Sequence, residues 1–332
     1  MRRWIFWVGV LISVALLYVS LKGLQLNDVW QSLRHADLWW IFPGIATYFL
    51  AVAVRTWRWS YLLRPSKRVR YGKLYETVVI GYMGNNVYPA RAGELVRAYV
   101  LRRNEGVPIA FSLATILIER IMDGIVMIAF VLIGLPNVQN LPSAAHEYVL
   151  LASALFVAAV SVFFWLALAP RMASRIAQAV ITRVIPHHFQ ASLLTMVNRF
   201  VQGAGSLRRP ADLLAIAAST VLAWLLETCK YWFVMHAFTL NLSFVDLMLV
   251  NGVANLSTII PSGPGYVGTF DSAGIGIISS LGVKQELATA YTLVLHAVLW
   301  LPVTLLGAFF MLREGLKWAD FRRAEESVTA AK

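Results

Sequence analysis

The sequence predicts an all-α integral membrane protein of about six full transmembrane helices plus two oppositely oriented re-entrant broken-helix hairpins that form an inverted repeat. Three observations lead there. Hydrophobic residues make up 59% of the 332 and charged residues only 14%, against about 25% charged in an average soluble domain. Apolar stretches long enough to cross a bilayer, about 20 residues each, recur along the chain. Lys and Arg gather in alternate connections between those stretches, which is how a membrane protein encodes its orientation.

The first stretch, MRRWIFWVGVLISVALLYVSLKG, shares its basic start and apolar run with secretory signals. No small-residue cleavage site follows, so a retained first helix is expected. Spans are expected at about 4–21, 39–63, 109–135, 147–169, 211–238 and 287–312. Basic residues mark Arg2 and Arg3, the loop with Arg64, Lys67, Arg68, Arg70 and Lys73, the segment from Arg171 to Arg209, and the tail from Arg313 to Arg323 as cytoplasmic. Both termini therefore come out inside. Segment 23–38 has only Arg34, and 136–146 and 239–246 have no Lys or Arg, which places them outside.

Two stretches are too polar and broken for ordinary spans. Residues 74–104 should enter and return from the cytoplasmic side, and residues 244–283 from the opposite side. The halves 39–135 and 211–312 then both read span, broken hairpin, span, in opposite orientation, within a single transmembrane domain over 1–332. Gly/Pro-interrupted segments at matching positions in two halves point to a binding site near the bilayer midplane. The basic segment 170–209 reads as an amphipathic connector on the cytoplasmic surface. A solvated linker explains its composition equally well.

In the first hairpin, NNVYPARAGELVR sets Pro89 after a helical run and Arg91, Gly93, Glu94 and Arg97 at the start of a new helix. Non-helical backbone at membrane depth survives only against protein or water. Asn85 and Asn86 offer side-chain amides there, and Arg91 and Arg97 offer several donors each to a phosphate. The opening turn of the helix adds free N–H groups. An anionic headgroup is the natural guest, while a plain interfacial position for both arginines is the competing reading. Farther on, Glu119, Arg120 and Asp123 interrupt an apolar helix, where each charge costs about 3 kcal/mol on insertion scales. Glu119 and Asp123 share a face. The expected pairs are Glu119 or Asp123 with an arginine of the hairpin, and Arg120 with Glu94. Static support and a gating network are both open at this point.

In the second hairpin, IIPSGPGYVGTFDSAG, the residues Pro261, Gly263, Pro264, Gly265 and Gly268 open the backbone. Ser262 and Asn255 supply neutral polar contacts, and Asp271 follows on the next half-helix. Arg55 and Arg58, near the cytoplasmic end of their span, are expected to snorkel, Arg58 above all. Glu227 and Lys230, three apart, should neutralise each other, and His296 reads as a satisfied core histidine. Cys229, the single cysteine, reads as packing.

At NNVYPARAGELVRAYVL, IERIMD and PSGPGYVGTFD the chain resembles the flippase-like membrane family related to the transmembrane region of lysylphosphatidylglycerol synthases, over residues 10 to 312. The family pattern of an Asn, then Pro-x-Arg-x-Gly-Glu with a further Arg, then Glu-Arg-x-x-Asp is met by Asn86, Pro89, Arg91, Gly93, Glu94, Arg97, Glu119, Arg120 and Asp123. The late motif departs from the usual Pro-x-Pro-Gly-Gly-x-Gly with a following Glu, having Tyr266 after one glycine and Asp271 in the acidic place. The resemblance implies translocation of a phosphate-headgroup lipid, phospholipid or polyprenyl-phosphate-linked, across the cytoplasmic membrane. It does not imply synthesis, because no soluble aminoacyl-transfer domain follows the last span.

No zinc-protease H-E-x-x-H, P-loop or GxSxG elbow is present, so a non-enzyme without cofactor or metal is expected. A scaffold or regulator of lipid synthesis is the rival reading, ahead of an intramembrane enzyme. The expected partners are membrane lipids with an anionic headgroup and lipid-synthesis enzymes. Nucleic acid is not expected, since the net charge of +12 lies in short loops beside the spans.

Overall fold

The computed structural model describes residues 3–88, 92–138, 169–184, 209–238 and 240–316, with scattered positions between 147 and 165 and at 190 and 194. The helices are α1 (Arg3–Leu21), α2 (Leu26–Arg34), α3 (Ile41–Leu63), α4 (Tyr71–Val87), α5 (Ala92–Glu105) and α6 (Ile109–Gly134). They continue as α7 (Pro170–Val184), α8 (Pro210–His236), α9 (Phe244–Ser257), α10 (Thr269–Ser280) and α11 (Gln285–Arg313), with no strand among the described residues. Three helical stretches, Leu38–Leu63, Pro210–His236 and Gln285–Arg313, are long and apolar enough to cross a membrane. Helix α6 has 26 residues, with its apolar run interrupted by the three charges. Of the expected span at 147–169, the described positions 147, 151, 153–158, 160, 161 and 165 are helical, while most of 185–208 lies outside the described residues.

One helix was not expected. Segment 23–38 was read as a plain connection, yet α2 forms there, placing Val29 and Leu33 against the core that contains Tyr291, Leu295 and Val298 of α11. Its apolar residues Leu26, Val29, Trp30 and Leu33 follow helical spacing.

Ion pairs and caps sort the helix ends onto two sides. On one side Arg64 at the end of α3 meets Asp212 at the start of α8 (2.7 Å), and Lys67 meets Glu105 at the end of α5 (2.8 Å). On the same side Lys73 at the start of α4 meets Glu314 after α11 (2.7 Å), and Arg313 pairs with Glu76. On the other side Asp37 N–H donates to Ala237 O (2.8 Å), Asn137 to Asp246 (2.6 Å) and Gln285 to Ser20 O (2.9 Å). Leu281, after α10, packs there with Val131, Val138 and Leu249. Thus α4 begins and α5 ends on one side, while α9 begins and α10 ends on the other.

At about 1.5 Å per residue, α4, α5, α9 and α10 run only about 18 to 25 Å, short of a hydrocarbon core about 30 Å thick. Helix α3 packs on α8, α4 on α11, α6 on α9, α4 on α5, α9 on α10, α5 on α6 and α10 on α11. Exchanging α3, α4, α5 and α6 for α8, α9, α10 and α11 maps this set onto itself.

Small residues set the close approaches, as in other membrane helix pairs. A Cβ on Gly93 of α5 would collide with Gly81 O and Asn85 N of α4. The equivalent contacts α4–α11 and α6–α9 both use glycine, since a Cβ on Gly307 would lie 2.9 Å from Val79 O and one on Gly252 2.8 Å from Met127 O. After α4 the chain turns extended at Tyr88 (φ −104°, ψ 143°). Pro89 and Arg91 lie outside the described residues. After α9 the backbone opens across the Pro/Gly run, with Gly265 (φ 69°) and Gly268 (φ 88°) in the left-handed region that glycine tolerates.

Candidate functional site

Four helices bring charges together at the junction of the two halves. On α8, Thr220, Trp224, Glu227 and Lys230 recur at spacings of three and four and so share one face. That face meets Tyr48, Arg55 and Arg58 of α3 and the charged turn of α6.

Arg58 corrects the snorkelling expectation. It is 1% exposed, with Nη1 2.6 Å and Nη2 3.3 Å from the two oxygens of Asp123. Nη1 also donates to Thr220 Oγ1 at 2.9 Å, and Nη2 lies 3.5 Å from Glu119. Acceptors supplied by α6 and α8 satisfy the guanidinium inside the protein, so its head has no need of interfacial water. Arg55 likewise turns inward, its Nη1 donating to Glu227 at 2.8 Å. Glu227 also takes Lys230, the pairing expected from their spacing. Trp224 joins the two groups: its Nε1–H donates to Asp123 at 3.0 Å, and Arg55 lies over its ring at 4.8 Å.

The first hairpin adds Arg97, whose Nη1 is 2.7 Å from Glu119 and whose guanidinium sits 3.6 Å from the ring centroid of Trp59. Arg120 is held more loosely, with 3.5 Å to Glu94 and 3.8 Å to Asp123, and is one-third exposed. Five cations (Arg55, Arg58, Arg97, Arg120, Lys230) therefore face four carboxylates (Glu94, Glu119, Asp123, Glu227) among the described residues. Arg58 Nε, Arg97 Nε and Nη2 and Asn85 Oδ1 are buried without a hydrogen-bond partner among those residues. The cluster has one positive charge and several donors to spare.

Beside it lies a half-open cavity of about 110 Å³. Asn85 and Asn86 enter it from the tip of α4, Gly265 and Tyr266 from the second break, Arg55 and Arg120 from the charged cluster, and Glu227, Asn255 and His296 from the second half. The two tips meet, since α4 packs on the turn Pro264–Tyr266 and a Cβ on Gly265 would lie 3.4 Å from Asn86 O. Helix α11 ties in the first tip: Trp300 Nε1–H donates to Asn86 O at 3.3 Å, and the Asn86 amide donates to Trp300 O (3.2 Å) and Thr304 Oγ1 (2.8 Å). A Cβ on Gly265 would meet Trp300 Nε1 at 2.6 Å. On the far wall His296 lies between Asp271 (2.6 Å) and Gly265 O (2.9 Å), while the second Asp271 oxygen accepts from Gly268 N–H at 2.8 Å.

Of the residues singled out in the sequence, Asn85, Asn86, Arg120 and Gly265 line the cavity, with Glu94, Arg97, Glu119 and Asp123 in the ion network behind it. Asp271 reaches it through His296. Ser262 and Gly263 turn toward α1, where Gly263 N–H donates to Ser13 Oγ (2.9 Å) and a Cβ on Gly9 would meet Ser262 O (2.7 Å). They do not line the cavity. Arg91 lies outside the described residues. Tyr48, Tyr82 and Trp224 were not anticipated, because an aromatic in an apolar helix carries no mark of facing a polar site. No grouping of His, Cys, Asp and Glu among the described residues could hold a metal ion.

Residues 6–307, through both hairpins and every residue of this cluster, match the family model of the lysylphosphatidylglycerol synthase TM region. The chain belongs to this family. Within it, a UPF0104 membrane protein of Methanothermobacter thermautotrophicus is 24% identical over 321 residues, 93% of each chain. A UPF0104 membrane protein of Methanocaldococcus jannaschii is 19% identical over 312 residues, 91% of this chain and 93% of the other. The glycosyltransferase AglD of Haloferax volcanii is 23% identical over 334 residues, which cover 92% of this chain and 54% of that protein. Membership in the lysylphosphatidylglycerol synthase TM-region family, with its apolar helices, makes this an integral membrane protein.

Proposed function

We propose that the chain is a lipid transporter that moves a phosphate-bearing headgroup across the cytoplasmic membrane through the cavity between the two broken helix pairs. The observation that carries this reading is the meeting of both tips, Asn86 and Gly265, at a cavity flanked by an excess of arginine donors. In this reading α4–α5 and α9–α10 are re-entrant hairpins entering from opposite sides, and the two-fold set of helix contacts is the signature of an inverted repeat. The side that carries Arg64, Lys67, Lys73 and Arg313 faces the cytoplasm.

At about 30 Å³ per water, the cavity has room for three or four waters, which matches a phosphate group and is far below a lipid. The acyl chains therefore stay in the bilayer while the headgroup passes inside. The naming of the family after an enzyme of lipid synthesis, and of one relative as a glycosyltransferase, supports a lipid substrate.

Native mass spectrometry of the purified protein tests the reading. Selective retention of one phosphate-bearing lipid over the bulk membrane is expected. A co-purified lipid mixture identical to the bulk would favour a scaffold held together by static ion pairs.

A further inference from the structure

His296 sits in α11 at the level where the two tips meet, and its ring is clamped at both nitrogens by acceptors. Nε2 is 2.9 Å from the carbonyl of Gly265, a group that only accepts, and Nδ1 is 2.6 Å from Oδ1 of Asp271. Either contact without a hydrogen would set two lone pairs against each other. Satisfying both takes two protons shared by the imidazole and the carboxylate, one more than a neutral ring beside an ionised Asp holds. The ring lines the cavity and is 8% exposed, so cavity water reaches it, while Asp271 is 2% exposed.

We propose that His296 and Asp271 form a proton-binding site that fastens the tip of the second hairpin, so that uptake and release of one proton couples closure of the cavity to a proton gradient. This rests on the transport reading above and supplies its coupling ion. When the pair gives up its extra proton to cavity water, one N–H remains on the ring. The charge-assisted bond to Asp271 keeps it, as the stronger of the two. Asp271 itself stays put, because its second oxygen caps Gly268 N–H. The Gly265 carbonyl then loses its donor, at a residue already in the left-handed region and packed against Trp300 and Asn86 of the other tip. Deprotonation unfastens the tip, and protonation closes it.

The other groups that face this site are Arg55 and Tyr48 of α3, Tyr82 of α4, Arg120 of α6, Glu227 of α8 and Tyr266 beside Gly265. The α2 charges Asp28 and Arg34 lie on its exposed face. Arg55 and Glu227 already pair with each other, and Arg120 is held by Glu94 and Asp123. The His–Asp pair is thus the group on the cavity wall whose hydrogen bonds require an added proton.

The test reads the tip directly. A cysteine replacing the exposed Val267, in a Cys229→Ser background, is labelled with a maleimide from about pH 5 to about pH 8, the range over which histidine changes charge. The rate is normalised to a cysteine at exposed Lys22. Accessibility should rise with pH by at least about fivefold, the lower end of ordinary coupling between sites. It should be pH-independent in both His296→Gln and Asp271→Asn. A flat profile in the otherwise unaltered protein, or an unchanged pH dependence in either variant, overturns the proposal. The labelling needs no lipid transport. A pH-dependent tip in a protein that moves no lipid would sink the transport reading and leave the proton site standing.

Discussion

Arg58 and Arg120 both reach Asp123 and differ in everything else. Arg58 is buried, with a two-pronged bond to the carboxylate. Arg120 is one-third exposed and no closer than 3.5 Å to either partner. Removing one member of a buried ion pair strands the other, at a cost of about 3 to 5 kcal/mol. Arg58→Gln should therefore lower expression and thermal stability together. Arg120→Gln should leave the melting temperature close to that of the unaltered protein, because its contacts with Glu94 and Asp123 are long and partly exposed, and on the proposed reading it should abolish headgroup binding. Thermal unfolding in detergent, read beside lipid retention, checks both. The spacing of Glu119 and Asp123 showed from sequence that α6 carries an inward acidic face. The burial of Arg58 was not legible, since depth along its own helix says nothing of acceptors on α6 and α8. Nor was the cavity role of Trp224, which looks like any other apolar residue of α8.

Among the elements, the two broken pairs were the most legible, because Pro and Gly interrupt them where a continuous helix would have cost most. The nine-residue α2 was missed, for its two and a half amphipathic turns are lost within a short connection. The pair α4–α5 depends on the bare backbone of Gly93. Gly93→Ala would push a methyl against Gly81 O and should cost at least about 1 to 3 kcal/mol, the usual range for overpacking. A melting temperature unchanged by that substitution would show that α5 does not sit so close to α4. On the basic side, the ends of α4 and α11 are clasped by Lys73, Glu76, Arg313 and Glu314, with Asn104 of α5 donating to Glu314 at 3.0 Å. The hydrogen bond from Lys73 holds the Glu314 carboxyl below its ordinary value. A carboxyl lowered by folding adds stability above the unfolded value, about 4.3 for glutamate, and loses it as pH falls through the folded value. Acidification from neutral to about pH 3 should thus lower the melting temperature more in the unaltered protein than in Glu314→Gln.

At the scale of the molecule, the helix ends sort onto two sides, and the proposed orientation puts the side with Arg64, Lys67, Lys73 and Arg313 in the cytoplasm. Cysteines placed at Lys67 and Arg209 should label from the cytoplasmic side of intact cells, and cysteines at Asp37 and Ser243 from outside. Labelling of Lys67 and Asp37 positions from the same side would break the two-sided arrangement. The central claim is that a phosphate headgroup crosses at the junction of the two tips, and reconstitution into vesicles with a fluorescent phosphatidylglycerol measures it most directly. The protein should speed movement of the labelled lipid between leaflets well above empty vesicles, and Arg120→Gln protein of equal stability should not. Movement no faster than in empty vesicles, or equally fast with Arg120→Gln, would contradict the account.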